Sequence, residues 1–360
     1  MSLWVIVGGQ YGSEGKGKIA AHIALKEDIY ICIRCGGPNS GHSITTPEGT
    51  MVLRQIPTGY INPVTRLLIP AGALINLSVI KEELEHLGVD PSRIGIDHRA
   101  MVIEGKDQQF ESDLKLQERL SSTLCGVGSA VSRRVLRGDD VRLARDAVST
   151  HSWLKPLLTD VSVEANSALD RNQNVLVEGT QGFGLSLYHS EAYPKATSRD
   201  TTAAAFLSEV GLSPMLITEI VLVLRTFPIR VAGEQAGPLH QEISWETLQS
   251  ESRYPWPIGE RTSVTNKIRR VGRFDWHLAR AAVRCNRPTK LAINCLDYLD
   301  HRDLGCTDFS FLTEASKKMV LELETRLEVP VAFCGVGPAL SNLIEPTRVS
   351  NLPSLVLETK

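Results

Sequence analysis

Three glycine-rich segments carry the side chains best placed to do chemistry. The first, Gly8-Gly9-Gln10-Tyr11-Gly12-Ser13-Glu14-Gly15-Lys16-Gly17-Lys18, follows the apolar run Leu3–Val7 and precedes the helix-compatible Ile19–Leu25. A strand, a glycine turn and a helix start gather backbone N–H groups and the positive helix end around an anion, and Lys16 or Lys18 would add a point charge for a phosphate. This is not a Walker A loop, because Gln10 stands where that motif needs a glycine five residues before Gly15. The second segment, Arg34-Cys35-Gly36-Gly37-Pro38-Asn39-Ser40-Gly41-His42-Ser43, puts a histidine in a loop after a strand. An imidazole there can reach a ligand and act as acid or base near neutral pH. The third, Val175-Leu176-Val177-Glu178-Gly179-Thr180-Gln181-Gly182, ends an apolar strand with small and amide residues. Cys32 and Cys35 form a CxxC, but no second pair stands at zinc-site spacing, and alternation in Ile29–Arg34 reads as a strand with cysteine as apolar filler.

The elements that must position these loops alternate in type. Near-continuous apolar runs at Trp4–Val7, Ile29–Ile33, Leu67–Ile69, Val175–Val177, Ile220–Leu224, Leu291–Asn294 and Val329–Phe333 read as strands buried on both faces. Helical spacing marks Val79–Leu87, Leu154–Leu169 and Thr313–Leu327. The expectation is an α/β chain with one large domain spanning 1–360, built on a central, mostly parallel sheet flanked by helices in the manner of P-loop NTPases. Ala232–Val264, rich in Pro, Gly and charge, reads as a mobile loop or small subdomain excursion. Ligands in such sheets gather outside the carboxyl ends of the strands. A net charge of −2 gives no electrostatic grip on DNA or a membrane surface. The seven cysteines at irregular spacing and the absence of a long apolar run point to a soluble, cytosolic chain with free thiols.

Taken in order, the three segments resemble those of adenylosuccinate synthetases. Members of that family carry a G-x-E-G-K-G-K loop, an N-x-G-H loop, E-G-x-Q-G and a Y-P-x-x-T-S segment, which here reads Tyr193-Pro194-Lys195-Ala196-Thr197-Ser198, and the similarity runs on to Val336-Gly337-Pro338. The resemblance implies a ligase that joins L-aspartate to C6 of a purine monophosphate through a 6-phosphoryl intermediate. It assigns His42 as the acid that meets charge on the activated oxygen, Gln181 to the purine, Lys16 and the loop amides to phosphates, and the Gly41 carbonyl with position 13 to Mg²⁺. Triphosphate contacts then fall to Gly12, Glu14, Gly15, Lys16, Gly17, Lys18, Gly41, His42, Ser43, Asp297, Gly335, Gly337 and Pro338. Monophosphate contacts fall to Ser13, Asn39, Ser122, Thr123, Gln181 and Thr197, with Arg137 reaching the site of a neighbouring subunit in a homodimer. Arg133 and Arg134 lie within a turn of Arg137 as alternatives. Aspartate contacts fall to Thr265, Asn266, Lys267 and Arg269.

The chain departs from the family pattern at three places. Where the family's catalytic aspartate belongs there is Ser13, too weak an acid for a free base near pH 7 and without fixed charge for a metal. Either activity is lost, leaving a nucleotide-binding regulatory protein, or the purine differs. The retained His42, Gln181 and Lys16 favour the second. A hydroxyl leaves room for, and can accept from, a 2-amino group beside N1, so the resemblance narrows to a phage-encoded branch that shares this replacement and converts dGMP to N6-succino-2-amino-2′-deoxyadenylate. The N1 proton would then leave through a water or a relay that includes Ser13. In the T-G-R-x-R-R aspartate loop, Lys267 replaces a planar arginine fork, which weakens contact with a ribose hydroxyl. The family's K-L-D reads Cys295-Leu296-Asp297, so the lysine stem that stacks on guanine is gone, and ATP or dATP is expected ahead of GTP. The alternative remains an adenylosuccinate synthetase that uses IMP and GTP.

Overall fold

The computed structural model describes residues 2–262 and 266–346. Its centre is a ten-stranded sheet, here numbered β1 (Leu3–Gly8), β2 (Ile29–Arg34), β3 (Arg66–Ile69), β4 (Ile94–Asp97), β5 (Leu158–Thr159), β6 (Asn174–Glu178), β7 (Glu219–Arg225), β8 (Lys290–Asn294), β9 (Val331–Gly335) and β10 (Leu343–Ile344). Across the sheet the order is β10-β9-β8-β7-β1-β6-β2-β3-β4-β5. Every neighbouring pair is parallel except β9 with β10.

The apolar runs form strands because both faces are covered. Val5, Val7, Val177, Leu222 and Leu224 pack into one core, while Trp4, Ile6, Leu176, Val221 and Val223 pack into the other. Each buried aliphatic side chain contributes about 1.5–3 kcal/mol. The central strands therefore form a stiff frame. Five adjacent strands, β8, β7, β1, β6 and β2, release their loops at the same carboxyl edge, which brings together segments far apart in sequence.

All seven expected strands are present and parallel. Three short strands at the sheet's margins were not expected: β4, where the sequence mixes glycine and aspartate into the run, and the two-residue β5 and β10. Leu154–Leu169 is not one helix. A 3-10 turn at Ser152–Leu157 contains Pro156, the chain then pairs as β5, and Asp160 starts a new helix, Val161–Asp170, by accepting from Val163 N at 3.1 Å. The proline and the capping aspartate override the apolar periodicity. The expected excursion at 232–264 is folded over its described part. Glu242–Ile243 pairs with Arg270–Gly272, which also pairs with Ile229–Arg230, and helix Trp245–Ser252 closes a small core of Phe227, Ile229, Trp245, Leu248 and Val271.

Candidate active site

The first glycine loop leads from β1 into helix α1 (Lys16–Lys26), whose N-cap, Gly15, sits at φ 90° with no side-chain cap. The N-terminal N–H groups of that helix are thus left to an anion. A side chain at Gly15 would be strained, and its Cβ would stand 2.7 Å from Asn294 Nδ2. Asn294 uses that Nδ2 to donate to the Glu14 carbonyl at 2.7 Å, tying the loop to the end of β8. The Glu14 carboxylate turns inward, accepting from Gln10 N at 3.1 Å and Gly12 N at 2.8 Å and pairing with Lys16 Nζ at 2.6 Å. Lys16 also donates to the Gln181 carbonyl. The buried acidic side chain therefore shapes the loop from within and is not a free carboxylate in the cavity beside it.

His42 is buried, and its Nδ1 hydrogen-bonds the Glu178 carboxylate at the end of β6. The same carboxylate accepts from Arg34 Nη1 at 3.2 Å and Thr58 N at 2.8 Å. With Nδ1–H donated to Glu178, Nε2 is the ring nitrogen left for chemistry. Burial, then the Arg34 guanidinium, push His42 down to about 4 against the opposing pull of Glu178. Burial pushes Glu178 up, but His42 and Arg34 outweigh it and hold it below the usual carboxylate range. The imidazole is accordingly neutral at pH 7 and takes up a proton only when negative charge arrives beside it.

Three connected cavities lie along the carboxyl edge. One is bordered by Asn39, Ser122, Thr123, Gln181, Lys267 and Arg269, and runs outward into a second that reaches Gly128, Thr197 and Arg230. The third, about 590 Å³, extends the other way past Gly15, Gly17, Lys18 and Ser43 to Asp297, Gly337 and Pro338. Ser13, Lys16, Gly41, His42 and Arg269 border both the first and the third. The track therefore has one crossing point, furnished with a hydroxyl, a carbonyl, an imidazole and two cations. Ser13 and Gly41 offer neutral oxygens alone, which suits Mg²⁺ held mainly by phosphate oxygens and water. Among the described residues no group of three or more His, Cys, Asp or Glu stands ready to cage a metal.

The expected residues are distributed unevenly. Gly12 borders the first cavity rather than the third, and its N–H is already donated to Glu14. Gly335 borders none of the three; it is a close-packing position where a Cβ would meet Asn294 Oδ1 at 1.9 Å. Asn266, exposed at φ 52°, also lies off the track, and Thr265 falls outside the described residues. Arg137 is exposed at the end of helix α2 (Val127–Leu136), away from the cavities. Arg133 and Arg134 turn elsewhere: Arg133 pairs with Asp107 at 2.7 Å and Arg134 donates to the Ala71 carbonyl at 3.0 Å. Cys32 and Cys35 are buried free thiols pushed well up by burial.

Several site residues were missed. Arg225 is fully buried, donates to the Ser13 carbonyl at 3.0 Å and pairs with Glu260, while the Glu260 carbonyl accepts from Arg269 N at 2.8 Å. Tyr254 and Trp256 border the third cavity, and Tyr254 donates to Asp297. A usable signal was present: β2, β6, β7 and β8 are apolar strands that end on Arg34, Glu178, Arg225 and Asn294, polar residues that only a site at that edge would employ.

An uncapped helix end beside a lysine-bearing glycine loop, opening onto a track for two ligands, defines a nucleotide-activating α/β enzyme. The adenylosuccinate synthetase family profile matches residues 5–145 and 139–304. The chain is 40% identical to the adenylosuccinate synthetase of Thermococcus onnurineus over 349 residues, covering 96% of this chain and 98% of that one. It is 40% identical to that of Methanocaldococcus jannaschii over 345 residues, covering 95% and 96%. Among solved structures, the fully ligated adenylosuccinate synthetase of Plasmodium falciparum shares the fold, with a TM-score of 0.84 at 21% identity, covering 96% and 100%. The succinoaminodeoxyadenylate synthetase of cyanophage S-2L, bound to dGMP and dATP as an energy donor, matches with a TM-score of 0.82 at 26% identity, covering 96% of each chain. The chain belongs to the adenylosuccinate synthetase family, the C–N ligases that join aspartate to a purine nucleotide. No helix among the described residues is long and apolar enough to cross a membrane.

Proposed function

We propose that this ligase acts on dGMP, joining L-aspartate to C6 with ATP or dATP as phosphoryl donor. The observation that carries the reading is Ser13, a hydroxyl exposed at the crossing of the two cavities, where the family places a carboxylate. The cyanophage synthetase bound to dGMP and dATP supports it as a relative of the same fold. Guanine carries an amino group beside N1. A carboxylate at position 13 would crowd that group, while a hydroxyl leaves space and accepts a hydrogen bond.

In this scheme Ser122, Thr123, Asn39 and Thr197 hold the monophosphate along the outer cavity, and Arg137 reaches it from the second subunit of a homodimer. Gln181 orients the base. Lys16 exchanges its contact with the Gln181 carbonyl for phosphate oxygens. The guanine O6 attacks the γ-phosphorus, the bond to the leaving nucleoside diphosphate breaks, and N1 gives its proton to a water or to Ser13 within a relay. The negative charge then beside His42 raises its proton affinity, and the protonated Nε2 stabilises the 6-phosphoryl oxygen. Lys267 and Arg269 hold the two aspartate carboxylates, with Thr265 and Asn266 assigned to the same loop. The aspartate amine attacks C6, and inorganic phosphate leaves with the O6 oxygen. Mg²⁺, when bound with the triphosphate, supplies charge neutralisation at the phosphates near Ser13 and Gly41.

A second reading, IMP with GTP, is favoured by the archaeal relatives at 40% identity, which are adenylosuccinate synthetases by name. Turnover assays with each monophosphate paired with ATP, dATP or GTP separate the two. Succinylated product is expected fastest from dGMP with ATP or dATP, and faster turnover of IMP would overturn the substrate assignment.

A further inference from the structure

In the third cavity the loop after β8 places Asp297 in a setting unlike an open carboxylate. It is buried, and the Tyr254 hydroxyl donates to its Oδ2. Burial raises the Asp297 carboxyl above its usual range against the opposing effects of Tyr254 and Lys18. Tyr254 cannot readily swing aside. It is itself buried and locked edge-on between Trp256 and Tyr298, with ring centroids at 5.6 and 5.8 Å, and it leans on His301 at 5.9 Å. Trp256, half exposed on the same stretch of chain, lines the cavity together with Pro257, Gly337 and Pro338.

A guanine edge presents two donors side by side, N1–H and the 2-amino group, and a carboxylate reads them by using both oxygens at once. An adenine edge presents one amino donor next to an acceptor nitrogen. Each carboxylate oxygen can accept at two sites; with the Tyr254 hydroxyl on one site of Oδ2, Asp297 keeps one fully available oxygen and one shared oxygen, so a second donor from guanine meets a weaker, partly occupied acceptor. A buried donor given only a shared acceptor offsets less of its desolvation cost than one given a free acceptor.

We propose that Tyr254 is a specificity-determining residue for the phosphoryl donor: by sharing Asp297 Oδ2 it weakens two-point reading of guanine and favours an adenine base, with Trp256 as a stacking wall indifferent to base identity. The inference rests on reading the third cavity as the donor site.

The test uses the full chain with Mg²⁺. Equilibrium binding of ATP, GTP and ITP is measured on the wild type and on Tyr254→Phe and Trp256→Ala, alongside turnover with dGMP and with IMP. The wild type is expected to bind ATP more tightly than GTP and to bind ITP at least as well as GTP, because the 2-amino group finds only a shared acceptor. Tyr254→Phe is expected to narrow the ATP-to-GTP ratio by roughly tenfold, the worth of about one hydrogen bond. KM for aspartate and for the monophosphate should not move. Trp256→Ala should weaken ATP and GTP alike. A wild type that binds GTP more tightly than both ATP and ITP overturns the proposal, whether or not the variants fold. So does a folded Tyr254→Phe protein with an unchanged ratio. If no purine monophosphate gives product, the ligase reading fails separately, and the binding ratios still decide the role of Tyr254.

Discussion

At the scale of single residues, the site is organised by contacts that set the state of a group before substrate arrives. Glu178 fixes the His42 ring through Nδ1, so Glu178→Gln should leave His42 in place but free to choose the wrong tautomer. We expect kcat to fall by about 10²-fold or more, with KM for the monophosphate changing little. Steady-state kinetics with a thermal melt check this, and a purely structural role would instead lower the melting temperature and leave kcat per folded molecule intact. His42 also links stability to pH. Its folded pKa, about 4, lies below the ordinary histidine value, so between about 4 and 6.5 the unfolded chain binds more protons and stability is lost as pH falls through that window. Glu209, pushed up to about 7 by burial, works with the opposite slope in part of the same window. The clean readout is therefore the difference between wild type and His42→Asn in urea unfolding from pH 7 to 4. It should shrink by about 2–3 kcal/mol toward the acid end; a difference that does not change with pH would contradict the burial argument.

At the scale of elements, much was legible because apolar runs buried on both faces look alike wherever they occur. The seven strands that hold the core were all visible, and so were the three glycine loops on β1, β2 and β6. Short margin strands were not, since two paired residues such as Leu158–Thr159 leave no periodic trace. The split of Leu154–Leu169 was written in Pro156 and Asp160, which the apolar spacing outvoted. The role of Glu178 was hidden for another reason: its partners Arg34, His42 and Thr58 lie 144, 136 and 120 residues away, and only the strand order brings them together. The same long-range logic applies to Arg225, which joins the Ser13 loop to Glu260 of the excursion, whose carbonyl in turn holds Arg269. Arg225→Met should uncouple them, leaving Glu260 without its cation and raising KM for aspartate more than KM for the triphosphate. Kinetics with each substrate varied in turn will show this, and equal rises in both would mean a general loss of folding. Gly15→Ala is the sharper test of the helix end. With φ at 90° and Asn294 Nδ2 2.7 Å from the new Cβ, the loop must shift, and triphosphate affinity should drop by about tenfold or more while the fold persists.

At the scale of the whole molecule, one chain supplies the track of cavities but leaves Arg137 exposed on α2, away from it. If Arg137 serves the neighbouring subunit, two inactive proteins should repair each other. Mixing Arg137→Leu with His42→Asn, after dissociation and reassociation, should recover about a quarter of wild-type activity, because half the dimers are mixed and each mixed dimer has one complete site. Recovery no greater than the sum of the separate proteins would place Arg137 outside the site. The family is secure from the length of the match; the substrate depends on the single replacement at position 13. The most direct measurement is a structure of the protein bound to dGMP. The 2-amino nitrogen is expected within hydrogen-bond distance of Ser13 Oγ, with O6 facing His42. A guanine ring turned so that its amino group points away from Ser13 would contradict it, even though the chain would still be an adenylosuccinate synthetase by descent.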